Sequence, residues 1–225
     1  RFSLRQAMWT TLLWHGALLL CPPFLSDDPL FYLAIGRVLH APHPSLQAPL
    51  SEVLGPHDAV VRLLPPHWQA GTSAYQAGFH GLAFLVESIP NLSLGGRLTV
   101  YQVLSALVML LTTLMGTKLA ARCGKPAAYG ATLVGLSPLS LLEGTLSAHN
   151  DVWLALLVAL AALCWLSARR WLVGPVLGLG LWLKLSALLP LATVTMSLSL
   201  PWLRRHRRWA LPGIISAAAV LLLLL

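Results

Sequence analysis

Residues 98–119 read LTVYQVLSALVMLLTTLMGTKL, a run with no charge until Lys118. An α-helix of roughly 20 mostly apolar residues crosses a bilayer core, and this run has that length. The whole chain supports the reading. It has 225 residues, 57% hydrophobic and 10% charged, with a mean hydropathy of +0.74, whereas a soluble domain carries about a quarter charged residues. The expected fold class is therefore all-α, a polytopic membrane bundle.

Working outward from that run, further apolar segments follow, each bounded by charge or by Gly and Pro. Residues 7–25 are expected as a first span, 98–119 as the second, 127–142 as the third and 152–167 as the fourth. Residues 171–203 are too long for one comfortable span and contain Lys184 and Pro190, so they are expected as two short helices meeting near Lys184. Residues 209–225 begin a seventh span. The chain is read as one transmembrane domain over 1–225. It is also read as a fragment, because it begins at Arg1 without methionine and stops inside the apolar run from Leu211 to Leu225. A lipoprotein cleavage site at Cys21 fails because Leu19 and Leu20 stand where small residues are needed.

Residues 26–96 are a Pro- and His-rich outer loop carrying amphipathic helices. One of these follows the stretch Gln69–His80 and ends near Glu87, and it is expected to lie at the interface and roof a cavity. His40, His43, His57, His67 and His80 show no ligand spacing. Cys21, Cys123 and Cys164 give neither a disulfide framework nor a zinc site.

Charge orients the bundle. Arg1, Arg5, Lys118, Arg122, Lys125, Arg169, Arg170, Arg204, Arg205, Arg207 and Arg208 fall on one side in this threading, eleven of the 15 basic residues. By the positive-inside rule that side is the cytoplasm, with the N-terminus on it. Asp27, Asp28, Glu52, Asp58, Glu87, Glu143 and Asp151, all seven acids, fall on the other side. The basic cluster 204–208 serves as a headgroup anchor, so no nucleic-acid partner is expected.

Two polar constellations lie on the acidic side. Ser26-Asp27-Asp28-Pro29-Leu30-Phe31-Tyr32 follows the first span; Asp28 is expected to cap a helix with Pro29 as its first residue, and Tyr32 shares its face four residues on. Capping accounts for one acid and leaves the other. Glu143-Gly144-Thr145-Leu146-Ser147-Ala148-His149-Asn150-Asp151 joins spans three and four, with Asn150 or Asp151 as a cap for the next helix. Ionisable groups at membrane depth are costly and mark function. Lys184, roughly 20 Å along its helix from the cytoplasmic boundary, either snorkels or meets an anion where two broken helices join.

Taken in order, Asp27-Asp28-x-x-x-Tyr32, a Tyr75-centred outer loop, Ser137-Pro138 followed by Glu143 and His149-Asn150-Asp151, and Lys184 before a proline resemble the polyprenol-phosphate-sugar-dependent glycosyltransferases of the GT-C fold. Within that class they are most similar to bacterial mannosyltransferase-like proteins with a D-D-x-x-x-Y first loop and an N-P…E…G-H-N-D segment. Here Tyr75-Gln76-Ala77, Ser137-Pro138 and His43-Pro44-Ser45 depart from the usual pattern.

The resemblance implies an inverting transfer of a sugar, with mannose favoured, from a polyprenyl-phosphate carrier to a hydroxyl of a glycan or glycolipid acceptor. The reaction would take place on the extracytoplasmic face of a bacterial inner membrane. Asp28 or Asp27 is then the general base: cap geometry frees Asp27, and family spacing favours Asp28. An adjacent acid is expected to raise the pKa of one of the two. Lys184 would stabilise the leaving phosphate, and Tyr32, Tyr75, Glu143, His149, Asn150 and Asp151 would bind substrate. No cofactor is firmly implied; Mg²⁺ or Mn²⁺ on Asp27, Asp28 and Asp151 is an open possibility given hard oxygen donors. The alternative, a transporter or flippase of a lipid-linked or anionic solute, needs no outer acid pair and predicts an internal repeat, which the chain lacks.

Overall fold

The structure, a computed structural model, describes residues 2–189 apart from Phe24 and Ala168, together with Ala192. The expected short helix after Lys184 beyond residue 189 and the seventh span at 209–225 lie outside the described residues. The chain divides into two units, the first ending at Ala187, and everything below concerns that first unit. Among the described residues it is all-helical.

Helix α1 (Leu4–Leu18) starts with a capping box, in which the Ser3 side chain accepts from the Gln6 backbone and the Gln6 side chain answers. Helix α2 (Asp28–His40) follows. Two short helices, α3 (Leu50–Leu54) and α4 (Pro66–Gln69), lie in the 26–96 segment. A helix stands where the second amphipathic patch ends at Glu87, α5 (Ala77–Glu87). Helix α6 (Leu94–Arg122), capped by Ser93, contains the apolar run 98–119. At 29 residues it is long and apolar enough to cross a membrane, and no other single described helix is.

Helix α7 (Ala127–Gly135) is shorter than the segment expected over 127–142. Pro138 has no backbone N–H and disfavours helical geometry in Ser137, so the chain breaks and rewinds at Ser140–Leu146 as a π-helix. Helix α8 (Asp151–Trp165) then leaves at 118° to it. Helix α9 (Val173–Leu183), entered through a 3₁₀ turn at Arg170–Leu172, stops at Lys184, whose backbone is extended (φ −155°, ψ 136°).

Helix α6 is the central post, packed against α7 and α8, while α1 rests on α7 and α9 on α8. The apolar core beside this bundle belongs to α2, α5 and their loops: Phe31, Tyr32, Leu33, Ile35, Val38, Leu50, Phe79 and Val86 are buried. Gly36 brings α2 onto α5, because a Cβ there would stand 2.6 Å from the Ala83 carbonyl oxygen. Gly130 does the same for α7 against the Gly116 backbone of α6. Two acids are consumed in holding this part together: Arg37 donates to Asp58 at 2.6 Å, and Arg97 lies 3.1 Å from Glu87.

The outward faces are apolar. Trp9, Leu13 and Trp14 of α1, Leu107 and Leu111 of α6, and Trp182 of α9 are exposed.

Candidate functional site

The start of α2, the junction between the π-helix and α8, and the end of α9 bring the polar residues together. Asp28 is the first residue of α2, and Asp27, not Asp28, occupies the cap position, without a side-chain capping bond. The expected cap fails because Asp28 turns inward to better partners. The Tyr32 hydroxyl donates to Asp28 Oδ2 at 3.0 Å and accepts from the Asn150 backbone N–H at 3.0 Å. His149 Nδ1 lies 2.8 Å from the same Oδ2, while its Nε2 lies 3.2 Å from Glu143 Oε2.

Lys184 completes the cluster. Its ammonium donates to Asp151 Oδ1 at 2.6 Å and to Asn150 Oδ1 at 3.2 Å, and stands 6.0 Å above the Tyr75 ring. The backbone is extended at Lys184, where α9 ends, and the side chain reaches the α8 N-terminus. Asn150 is the cap residue of α8 but likewise makes no side-chain capping bond, since its amide oxygen serves Lys184. Asp27 is exposed and its carboxylate meets none of these groups.

The electrostatics follow from the contacts. Burial pushes the Asp28 carboxyl up, but the His149 hydrogen bond and charge, the Tyr32 hydroxyl and the Lys184 charge outweigh it and hold Asp28 below the usual carboxylate range. The expected elevation by a neighbouring acid is overturned for Asp28: three donor or cationic groups surround it. The Asp28 hydrogen bond raises His149 against the opposing effect of burial, helped by the charges of Asp28, Glu143 and Asp151. Burial raises Tyr32 and Tyr75, so both hydroxyls stay protonated.

Tyr32 itself is completely buried, its ring wedged among Tyr75, Phe79 and Tyr101. It orients Asp28 and cannot present itself to a substrate. Among the described residues no three His, Cys, Asp or Glu side chains form a group able to hold a metal ion. Asp28 and Asp151 are each already matched by a cation, so the Asp27–Asp28–Asp151 set does not fit Mg²⁺ or Mn²⁺.

A cavity of about 340 Å³ adjoins the cluster. Glu143, His149 and Asp151 are among its lining residues, together with the apolar Met109, Leu139, Val152 and Ala155. Ala148, just before His149, has φ +50°, a left-handed conformation that costs a residue bearing a Cβ roughly 1–2 kcal/mol.

A family described as alpha-(1->6)-mannopyranosyltransferase, N-terminal domain, matches residues 1–200. The chain belongs to this mannosyltransferase family. As a member it is a glycosyltransferase, and every residue of the cluster falls inside the matched range. No curated protein and no solved structure matches it.

Sequence reasoning missed His15 and Gln102, which lie in apolar helices and are both about 1% exposed. His15 sits against Thr145 and Gly135, and Gln102 against Leu146. The signal that could have found them is an imidazole or an amide side chain inside each of two expected spans.

Proposed function

We propose that the chain transfers mannose from a polyprenyl-phosphate carrier to a hydroxyl of a glycan or glycolipid acceptor, with inversion and with Asp28 as general base. The observation that carries this is the convergence of Asp28, His149 and Lys184, from three distant parts of the sequence, beside a cavity lined by both titratable and apolar side chains. That duality suits a donor whose head is an anionic sugar phosphate and whose tail is hydrocarbon.

The acceptor oxygen attacks the anomeric carbon as its proton passes to Asp28; the bond from that carbon to the phosphate oxygen breaks, and the phosphate leaves with the electron pair. Tyr32 and His149 both hold Oδ2, leaving Oδ1 to take the proton. A carboxylate with a lowered pKa is a weak base in the ground state. It suffices once bond formation has made the acceptor hydroxyl acidic, and it is fully ionised at neutral pH. Lys184 supplies the counter-charge for the departing phosphate. Its present partner Asp151 is 61% exposed at the side chain and gives way to the phosphate. Glu143, His149 and Asn150 orient sugar or acceptor, and Tyr75 walls the site near Lys184.

The chain works in a bilayer on this reading. The outward tryptophans and leucines of α1, α6 and α9 form a surface that water would not tolerate in this extent. On this reading Arg5, Lys118, Arg122, Lys125, Arg169 and Arg170 lie on the cytoplasmic side. The cluster then faces the extracytoplasmic side of a bacterial inner membrane.

The test reconstitutes the full chain in lipid with labelled polyprenyl-phosphate mannose and a range of acceptors. Mannose transfer that Asp28→Asn abolishes supports the reading. Parental transfer by Asp28→Asn removes Asp28 as base, and solute movement without sugar consumption replaces the transferase by a transporter.

A further inference from the structure

Beneath the Glu143–Asp151 loop lies a buried polar layer that the transfer chemistry does not use. His15 Nε2 is 3.1 Å from the Gly135 carbonyl oxygen, and its Nδ1 is 2.5 Å from Thr145 Oγ1. A carbonyl can only accept, so Nε2 carries a proton; in the neutral ring Nδ1 then accepts from the Thr145 hydroxyl. Gln102 Nε2 donates to the Leu146 carbonyl at 3.1 Å and to the Cys21 carbonyl at 3.0 Å. Two successive residues of the π-helix are thereby tied to α1 and α6.

Any buried histidine must find partners, and nearby carbonyls of its own helix would suffice. These bonds instead reach 120 and 130 residues along the chain, to the last residue of α7 and to the turn that holds Thr145. That turn is a π-helix, a rare form that persists only where surroundings enforce it. Its wide register puts the Ser147 N–H on the Leu142 carbonyl at 2.8 Å, and past the left-handed Ala148 the His149 N–H closes back on the Glu143 carbonyl at 3.1 Å. The second of these bonds sets His149 between Asp28 and Glu143. The Gly135 carbonyl that His15 holds is the last of α7, left without a helical partner by the break before Pro138.

We propose that His15 is a positioning residue. It fixes the π-helical turn that delivers His149 to Asp28 and Glu143 to the cavity, and Gln102 is the second strut. The kinetic part of this inference rests on the proposed transferase reading; the structural part does not.

The experiment uses the full chain in lipid nanodiscs and compares parent, His15→Leu, His15→Gln and Thr145→Val by hydrogen exchange over residues 140–150 and by transfer kinetics. In His15→Leu and Thr145→Val, exchange in that stretch rises about tenfold, the scale of one lost buried hydrogen bond, while α9 peptides keep parental rates. The kcat falls about 10- to 100-fold with KM within about twofold, as small misplacement of reacting groups does. His15→Gln, which retains a donor and an acceptor, recovers part of both. Should His15→Leu fail to fold, Thr145→Val, which keeps the shape and removes only the hydroxyl, carries the same expectation. Unchanged exchange over 140–150 in Thr145→Val overturns the inference, as does parental kcat in a variant whose exchange has risen. A parent that transfers no sugar, with exchange rising as stated, sinks the transferase reading and supports the strut.

Discussion

Replacing Lys184 by methionine separates a catalytic ammonium from a structural one, because the two roles differ in size by orders of magnitude. Structurally the ammonium holds Asp151 at 2.6 Å, but that carboxylate is 61% exposed and Lys184 itself is 29% exposed. An ion pair so open to solvent contributes about 0.2–1 kcal/mol. For a chain of this size that corresponds to a Tm change of about 0.4–4 °C. The methionine retains an apolar stem of similar length, so no large cavity adds to the loss. Catalytically, removing one preorganised charge from a leaving group costs about 10²- to 10³-fold in kcat, roughly 2.7–4 kcal/mol. The expected outcome for Lys184→Met is therefore a kcat drop of at least about 100-fold with a Tm within about 4 °C of parent. Lys184→Arg, which keeps charge but not the compact point geometry, should fall between. The measurement is initial-rate transfer from labelled polyprenyl-phosphate mannose, alongside thermal unfolding of the same preparations. Parental kcat in Lys184→Met would refute the assignment. So would an equal kcat loss in Asp151→Asn, because the ion pair and not the free ammonium would then be what matters.

Other expectations follow from the same geometry. Asp28→Asn should lower kcat by about 10²- to 10⁴-fold, whereas Asp27→Asn, exposed and outside the cluster, should transfer at close to the parental rate; equal effects of the two changes would dissolve the distinction. The Asp28–His149 pair has a definite pH window. His149 is raised, so its contribution is complete below its ordinary value of 6.5 and is lost as pH climbs through the raised one. Asp28 is lowered, so its contribution is complete above 3.8 and is lost as pH falls through the lowered value. The Tm gap between parent and His149→Gln should accordingly be widest between those two ordinary values and narrow on either side, and a gap independent of pH would contradict the pairing. Gly130→Ala places a methyl against the Gly116 backbone; overpacking of that kind costs about 1–3 kcal/mol, visible as a lowered Tm, and an unchanged Tm would show that α6 and α7 can part freely.

Much of the site was legible because its residues are polar islands in an apolar text. Asp28 and Tyr32 are four apart, and the helix duly joins them. The stretch Glu143–Asp151 and the lone Lys184 stood out by cost alone. What pattern could not give was direction. Capping preference assigned Asp28 to the backbone of its own helix, whereas tertiary partners drew it inward and left Asp27 at the cap. Composition treated 127–142 as a single apolar run; Pro138 ends α7 at Gly135, and the π-helical rewinding that follows depends on His15 and Gln102, which come from elsewhere in the chain. Local periodicity carries no information about partners more than a hundred residues away. The acid doublet suggested a raised carboxyl, and the lowered one is explained by Tyr32 of the same helix together with His149 and Lys184 from distant parts of the chain.

Ala148 gives the loop a further property. Left alone, alanine avoids φ +50°, and glycine would accept it freely. Here the methyl is 2% exposed and sits in the same apolar core as Tyr32 and Phe79, so the surrounding bundle overrules the residue's own preference. The shape of the stretch that presents His149 is thus imposed from outside and is not encoded locally. A peptide cut from residues 140–151, or the same stretch grafted onto another scaffold, would carry Glu143, His149, Asn150 and Asp151 in the right order and none of their arrangement.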